Sequence, residues 1–281
     1  MFDEIDLTAG SIRLNVAVGP ANGPPLVVLH GVGRRWQDFA PLLPTLASRR
    51  HLHLVDFRGH GKSDRAAGAY RVVDYVNDAL ALLASLHQPA LVYGHSLGAL
   101  VAVASAAARP ELVQAIVLED PPSAAFMARL SGTAYLATFE AMRRLAGPNR
   151  DTAAVARDLG DTLVRTPDGA VRLSRLRDAT ALRFMARCLA DMDGEALTPA
   201  IEGDWMAGYD EAALWRSVRC PTLLLRGDVT AGGMLPDTDA DAMRSRMEDC
   251  IKIDFKGVGH LIHWTAPELT LHHVLAFLDS L

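Results

Sequence analysis

A serine lies between two glycines at the point where an apolar run meets an Ala-rich segment. The chain reads LVYGHSLGA over 91–99, so the G-x-S-x-G spacing falls between a predicted strand and a predicted helix. In that context the turn lifts the hydroxyl of Ser96 above the sheet, and the small residues Gly94 and Gly98 leave room for it. The helix directs its first N–H groups toward an anion that forms beside the serine. We therefore predict that Ser96 is a nucleophile for acyl transfer.

A histidine in a glycine-rich loop is the candidate general base. His260 follows the sequence GVG at 257–259, after the last predicted strand and before the last predicted helix. The glycines free the backbone to aim an imidazole at the serine, and the histidine comes last in the chain order serine, acid, histidine. We predict that His260 accepts the Ser96 proton. The other histidines lack a supporting set of ligands, so no metal site is predicted.

The elements that must position these residues alternate along the chain. After an opening hairpin, short apolar runs predict strands at 26–29, 52–55, 90–93, 115–118, 222–225 and 251–254. Segments of helical length lie at 36–48, 73–86, 97–108, 237–247 and 267–281. This alternation is typical of a parallel sheet with helices on both faces, which is an α/β fold.

The segment 122–215 interrupts the alternation and is predicted to be a helical cap inserted between core parts 1–121 and 216–281. Its large apolar side chains could line a pocket, although most are expected to pack the cap against itself. They are Phe126, Met127, Tyr135, Phe139, Met142, Phe184, Met185, Trp205 and Met206. Arg183 and Arg187 lie one helical turn apart and are expected to be solvated rather than to meet a substrate carboxylate.

Composition narrows the class of protein. The chain has 281 residues, of which 50% are hydrophobic, and a formal net charge of −5, so neither nucleic acid nor an anionic membrane is an expected partner. The acidic start does not resemble a signal peptide, and no apolar run approaches the roughly 18 residues of a membrane span. Three scattered cysteines predict no disulfide framework. We expect a soluble cytoplasmic protein that acts on a small molecule; the sequence makes no prediction of its oligomeric state.

Four motifs together resemble those of the α/β-hydrolase family: HGVG at 30–33, DFRGHGKSD at 56–64, GHSLG at 94–98 and GVGH at 257–260. The resemblance implies a mostly parallel central sheet flanked by helices, with an inserted helical cap. It also implies an oxyanion hole formed by the backbone N–H groups of Val32 and Leu97. The motif at 56–64 is interpreted as a structural turn.

The acid of the triad is the open question. The commonest family position is three residues past a glycine in the loop after strand 222–225, where this chain has Thr230, with Asp228 two residues earlier. Some members of the family carry the acid directly after the sixth strand. There the chain has Glu119 and Asp120 before two prolines that stop the strand. We favour Asp120, and Asp228 and Glu119 remain alternatives.

The resemblance implies a serine hydrolase that cleaves a carboxylic ester or lactone of a small, largely apolar molecule through an acyl-enzyme, without a cofactor. One alternative is a C–C bond hydrolase of ring-cleavage products, which would share the same motifs. Another is a ligand-binding member of the family with little catalysis, since a fold does not fix a function.

Overall fold

A computed structural model describes residues 2–148, 150–166 and 169–281. Eight strands form the central sheet, in the spatial order β1-β2-β4-β3-β5-β6-β9-β10, and two more form a separate hairpin. The central strands are β1 (Asp3–Ala9), β2 (Ile12–Val18), β3 (Pro25–Leu29), β4 (His51–Val55), β5 (Ala90–His95), β6 (Val113–Glu119), β9 (Thr222–Gly227) and β10 (Cys250–Phe255); the hairpin is β7 (Leu163–Thr166) and β8 (Gly169–Arg172).

The α-helices of the described residues fall into three groups. Those before β6 are α1 (Leu43–Ala47), α2 (Val72–Ser85) and α3 (Leu97–Ala108). Those between β6 and β9 are α4 (Ala124–Met127), α5 (Ala134–Leu145), α6 (Thr152–Asp161), α7 (Ala179–Ala190), α8 (Thr198–Glu202) and α9 (Glu211–Ser217). The last group is α10 (Asp237–Arg246), α11 (Ile262–Thr265) and α12 (Pro267–Asp279).

The predicted α/β architecture is confirmed. The β1–β2 hairpin is antiparallel, β2 pairs antiparallel with β4, and every other pairing of the central sheet is parallel. All residues of β3 and β5 are buried, as expected for strands covered by helices on both faces. Alternate side chains of these strands enter two hydrophobic clusters, one with α2 and α3 and the other with α1 and α12.

Two sequence predictions need correction. The helix predicted at 36–48 is split into a 3₁₀ turn, Trp36–Phe39, and the short helix α1. Pro41 lies between the two pieces and has no N–H to donate, so a continuous hydrogen-bond ladder is interrupted there. In addition, the segment predicted as a helical cap contains the hairpin β7–β8 beside its helices. Its short strands are mostly exposed, so they lack the apolar run used to predict buried strands.

The motif at 56–64 forms a turn around one buried carboxylate. Asp56 accepts hydrogen bonds from the N–H groups of Trp36 at 2.8 Å and Lys62 at 3.1 Å, and from Asn15 Nδ2 at 2.9 Å. A Cβ atom on Gly61 would lie 2.1 Å from Asp56 Oδ2, so the turn requires glycine at that position. These contacts tie β2 to the loop that follows β3.

Within the described residues, the structure has no helix both long and apolar enough to cross a bilayer.

Candidate active site

Ser96 occupies a strained turn between β5 and α3. Its backbone has φ 55° and ψ −115°, a conformation that non-glycine residues rarely adopt. The Ser96 N–H donates to the carbonyl of Glu119 at 2.9 Å, which ties the turn to the end of β6. A Cβ on Gly94 would lie 2.2 Å from the Gly98 carbonyl oxygen, and a Cβ on Gly98 would lie 2.1 Å from that of Leu29. Both glycines are therefore required by close backbone approach.

His260 forms a hydrogen bond with Asp120. The distance between His260 Nδ1 and Asp120 Oδ2 is 2.7 Å, and the two residues are 7% and 0% exposed. Since a carboxylate accepts, Nδ1 carries the hydrogen and Nε2 is left as the basic nitrogen. Asp120 is itself held by the N–H groups of Gly227 at 3.0 Å and Met234 at 2.8 Å. The structure thus brings the predicted base together with the favoured acid.

The two alternative carboxylates make other contacts. Asp228 accepts from the Thr230 N–H and hydroxyl and from the Gly257 N–H, and these bonds, chiefly that from the Thr230 hydroxyl, lower its pKa to about 2. It caps the short 3₁₀ turn Val229–Ala231. Glu119 bonds to His263 instead of His260. Neither carboxylate contacts the predicted base.

His260 lies against His95, the residue that immediately precedes Ser96. The His95 and His260 rings lie 4.6 Å apart, centroid to centroid, and His95 immediately precedes the serine. The hydrogen bonds of the described residues do not include one between Ser96 Oγ and His260. In ligand-free enzymes this bond is often long, and it shortens when substrate binds. Ser96 is 3% exposed, so substrate must enter a largely covered site.

The two predicted oxyanion donors are available. Val32 follows β3 and Leu97 is the first residue of α3. Neither N–H has an acceptor among the described residues, whereas the Gly33 N–H donates to His60 Nε2 at 3.0 Å. Unpaired N–H groups of buried residues are rare unless a ligand or water takes their place. Both donors can therefore bind an oxyanion beside Ser96.

Side chains from α4 and α5 cover this site. The centroid of the Tyr135 ring lies 5.8 Å from that of His260, with an interplanar angle of 75°, and it lies 5.9 Å from that of Phe126 and 6.1 Å from that of Phe139. A Cβ on Gly33 would lie 2.1 Å from Met142 Cε, so Met142 touches the turn that carries Val32. One residue of the predicted pocket wall packs at another place in the fold. Trp205 is 2% exposed and its carbonyl accepts from Val72 at the start of α2.

A second set of ionisable side chains is buried beside His260 and Asp120. His263 Nδ1 lies 2.7 Å from Glu119 Oε1, and its Nε2 lies 3.4 Å from Asp38 Oδ2. Burial alone would lower the pKa of His263, but the two carboxylates outweigh it and raise that pKa to about 9. Asp38 also accepts from Arg34 Nε and Trp264 Nε1, each at 2.8 Å. His263 is therefore an imidazolium at neutral pH.

His95 connects this buried network to the base. Its Nε2 donates to the carbonyl of His260 at 3.0 Å, which fixes its hydrogen on Nε2. Burial lowers the pKa of His95 to about 3, so this ring is neutral. The contact holds the backbone of His260 against the residue that precedes Ser96. The sequence carries no sign of this network, because its members come from four separate segments.

One group of residues meets the minimum geometry of a metal site. His95, Glu119 and His263 each place a potential ligand atom within 4.8 Å of the others. However, several of their polar atoms already have partners within the protein: His263 Nδ1 bonds to Glu119, and His95 Nε2 donates to the carbonyl of His260. The group is better described as a set of ion pairs and hydrogen bonds.

Comparison with known proteins identifies the family. A model described as "Alpha/beta hydrolase family" matches residues 26–272. The chain belongs to the alpha/beta hydrolase family. The resemblance inferred from the four motifs is therefore confirmed.

Members of the alpha/beta hydrolase family that resemble this chain include two named enzymes. The chain is 30% identical to 2-(acetamidomethylene)succinate hydrolase of Mesorhizobium japonicum, over 96% of this chain and 93% of that protein. It is 32% identical to pimeloyl-(acyl-carrier protein) methyl ester esterase of Chromobacterium violaceum, over 66% of this chain and 81% of that protein. The crystal structure of E-2-(acetamidomethylene)succinate hydrolase matches with a TM-score of 0.77 and 26% identity, covering 99% of this chain and 100% of that one. The chain is thus a hydrolase by family.

Proposed function

We propose that this protein is a serine hydrolase that cleaves a carboxylic ester or lactone of a small molecule through an acyl-enzyme. The observation that carries the proposal is the His260–Asp120 hydrogen bond beside the strained Ser96 turn. The free N–H groups of Val32 and Leu97 supply the other element that acyl transfer requires.

The proposed reaction begins with proton transfer from Ser96 Oγ to His260 Nε2 as Oγ attacks the carbonyl carbon. The carbonyl oxygen becomes an oxyanion that accepts hydrogen bonds from Val32 and Leu97. The negative charge of Asp120 stabilises the imidazolium and keeps its Nδ1–H in place.

To complete the first half of the cycle, His260 gives the proton to the leaving alkoxide, and the carbon–oxygen bond breaks to leave an acyl-serine. Water then attacks the acyl carbon while His260 takes its proton. Collapse of the second tetrahedral intermediate releases the carboxylic acid and returns the proton to Ser96. The chemistry uses only groups of the chain, the substrate and water, so the proposal includes no cofactor.

Amide hydrolysis is a second candidate, favoured by the relative from Mesorhizobium japonicum, which aligns over 96% of this chain. The name of that relative describes a substrate with an acetamido group and two carboxylates. The same Ser96 chemistry would apply, with His260 protonating a leaving nitrogen instead of an alkoxide. The esterase relative aligns over a smaller share of this chain and favours the ester proposal.

The two remaining alternatives make different demands on the site. A C–C bond hydrolase would use the same residues but would turn over dienone ring-cleavage products and few esters. A ligand-binding member would need no triad. The only sequence feature in favour of mere binding was the missing acid at Thr230, and the Asp120–His260 contact offsets it.

The first test is hydrolysis of 4-nitrophenyl esters from acetate to decanoate, with Ser96→Ala as the matched control. Turnover that disappears in Ser96→Ala supports acyl transfer, and the chain-length optimum measures the pocket. The same preparation is assayed with 2-(acetamidomethylene)succinate and with a dienone ring-cleavage product. Turnover of either one without ester turnover would replace the ester proposal, and folded protein inactive on all three would favour ligand binding.

A further inference from the structure

His95 contacts three parts of the candidate active site at once. It is the last residue of β5, directly before Ser96, and it is 1% exposed. Its ring lies 4.6 Å from that of His260, centroid to centroid, and its Nε2 donates to the His260 carbonyl at 3.0 Å. A Cβ on Gly31 would lie 2.9 Å from His95 Nδ1, so the ring also packs against the turn that carries Val32. One side chain thus joins the nucleophile turn, the oxyanion turn and the loop of the base.

The loop that presents His260 is held by different groups along its length. At its start, the Gly257 N–H donates to Asp228 Oδ2 at 2.9 Å, and the Val258 carbonyl accepts from the Asp228 N–H at 2.7 Å. These contacts end before the base. Among the residues that the structure describes, no main-chain N–H donates to the His260 carbonyl, which leaves His95 as its donor. The His95 bond therefore fixes the main chain at the base itself.

Packing alone does not account for a histidine at position 95. His95 Nδ1 is buried and has no hydrogen-bond partner in the described part of the chain, and Asp38 Oδ2 lies 3.9 Å from it. A buried polar atom without a partner is unfavourable, and an apolar side chain of similar size would avoid that penalty. The contact that an apolar side chain could not make is the Nε2–H bond to His260.

We propose that His95 is a positioning residue for the reaction, whose Nε2–H holds the main chain of His260 so that the imidazole meets the Ser96 hydroxyl. The inference rests on the proposed function, in which His260 exchanges protons with Ser96, the leaving group and water. A general base must lie within hydrogen-bond distance of the proton that it takes. A misplacement of about 1 Å can reduce the rate by about 10²-fold. Asp120 fixes the direction in which the His260 ring faces, and His95 fixes the point from which the ring extends.

A matched pair of substitutions separates the hydrogen bond from the packing of the ring. Glutamine and methionine have similar length and volume, but only glutamine carries N–H donors near the position of His95 Nε2. His95→Met should lower kcat for 4-nitrophenyl acetate by about 10- to 100-fold with little change in KM, because the base rather than substrate binding is disturbed. His95→Gln should restore most of that loss.

Tyr93→Phe is the control for general damage to the buried network. Tyr93 lies on the same strand and is fully buried, and its hydroxyl donates to Glu119 Oε2 at 2.6 Å rather than to His260. This variant should be less stable in urea, with kcat close to that of wild type. If His95→Met does not fold, His95→Asn takes its place, since its shorter amide does not reach the His260 carbonyl and the same loss of kcat is expected.

A fluorophosphonate gives a second readout that needs no ester turnover. Ser96 Oγ bonds to its phosphorus, fluoride leaves and His260 takes the proton, so the rate of modification should fall in His95→Met in parallel with kcat. Equal rates in wild type and folded His95→Met would overturn the inference, as would equal losses in His95→Met and His95→Gln. If no ester is cleaved but modification of Ser96 still depends on His95, the proposed ester hydrolysis fails and the positioning role stands.

Discussion

His260 and His263 lie in one loop-to-helix segment, and each forms a hydrogen bond through Nδ1 to a carboxylate at 2.7 Å. Their partners, Asp120 and Glu119, are adjacent at the end of β6. The His260–Asp120 and His263–Glu119 pairs therefore have the same chemical groups and the same hydrogen-bond distance. Their surroundings differ.

The difference lies at the second ring nitrogen. His263 is fully buried, and its Nε2 faces a second carboxylate, Asp38, at 3.4 Å. With an anion on each side its pKa rises to about 9, so it holds its proton at neutral pH. His260 has a carboxylate at Nδ1, and none of the described residues forms a hydrogen bond with its Nε2. A general base needs a ring nitrogen that is free to accept a proton. A histidine with one carboxylate partner keeps such a nitrogen, whereas a histidine between two carboxylates is suited to a structural role.

Asp120→Asn should produce the largest effect. An asparagine cannot hold the Nδ1–H tautomer or stabilise an imidazolium, so kcat should fall by about 10⁴-fold. Steady-state hydrolysis of a 4-nitrophenyl ester measures it. Asp228→Asn is the matched control and should lose far less, because Asp228 caps a turn. Small and equal losses in both variants would show that His260 does not depend on a single acid.

Glu119→Gln should affect folding more than catalysis. Removal of this charge leaves the buried His263 with only Asp38 to balance it, so the free energy of unfolding should fall by about 3 kcal/mol. Urea titration measures the stability, and kcat is compared in the folded protein. A loss of kcat as large as that of Asp120→Asn, at unchanged stability, would make Glu119 the triad acid instead.

The stability of the wild-type protein should fall in alkaline solution. The pKa of His263 is raised from the usual 6.5 to about 9, so its contribution is complete below pH 6.5 and is lost as pH rises through 9. The groups that face it are Glu119, Asp38 and the neutral His95. Urea titrations between pH 6 and 10 should show this decline. His263→Gln should flatten the curve over that interval; parallel curves would assign the decline to other groups.

Trp264→Phe should have the smallest effect. It removes the Nε1–H bond to Asp38 but leaves Arg34 and His263 to balance that carboxylate. The free energy of unfolding should fall by about 1.5 kcal/mol, with kcat close to that of wild type. Thermal or urea unfolding together with ester kinetics tests both expectations. A change in kcat without a loss of stability would mean that the network acts on the triad directly.

Local sequence patterns predicted much of the fold and of the candidate site. The positions of the core strands along the chain followed from apolar runs, because a strand covered on both faces must be apolar throughout. The serine turn could be predicted because its constraints come largely from adjacent residues. Gly94 and Gly98 must be glycines, since a Cβ atom at either position would lie about 2 Å from a backbone carbonyl oxygen. The helix predicted at 36–48 is split near Pro41, and the hairpin β7–β8 was not predicted because its exposed strands lack a continuous apolar run.

The partner of His260 could not be chosen from the sequence. Asp120 and Asp228 follow the neighbouring parallel strands β6 and β9, so both lie at the same edge of the sheet. Tertiary contacts separate them: the Gly227 and Met234 N–H groups hold Asp120 toward His260, whereas Thr230 and Gly257 hold Asp228 away. The same holds for His263, whose raised pKa depends on two carboxylates that come close to it only in the folded chain. Sequence motifs identify residues whose constraints come from their neighbours along the chain. The charge balance of a buried group depends instead on residues from distant segments, which become neighbours only when the chain folds.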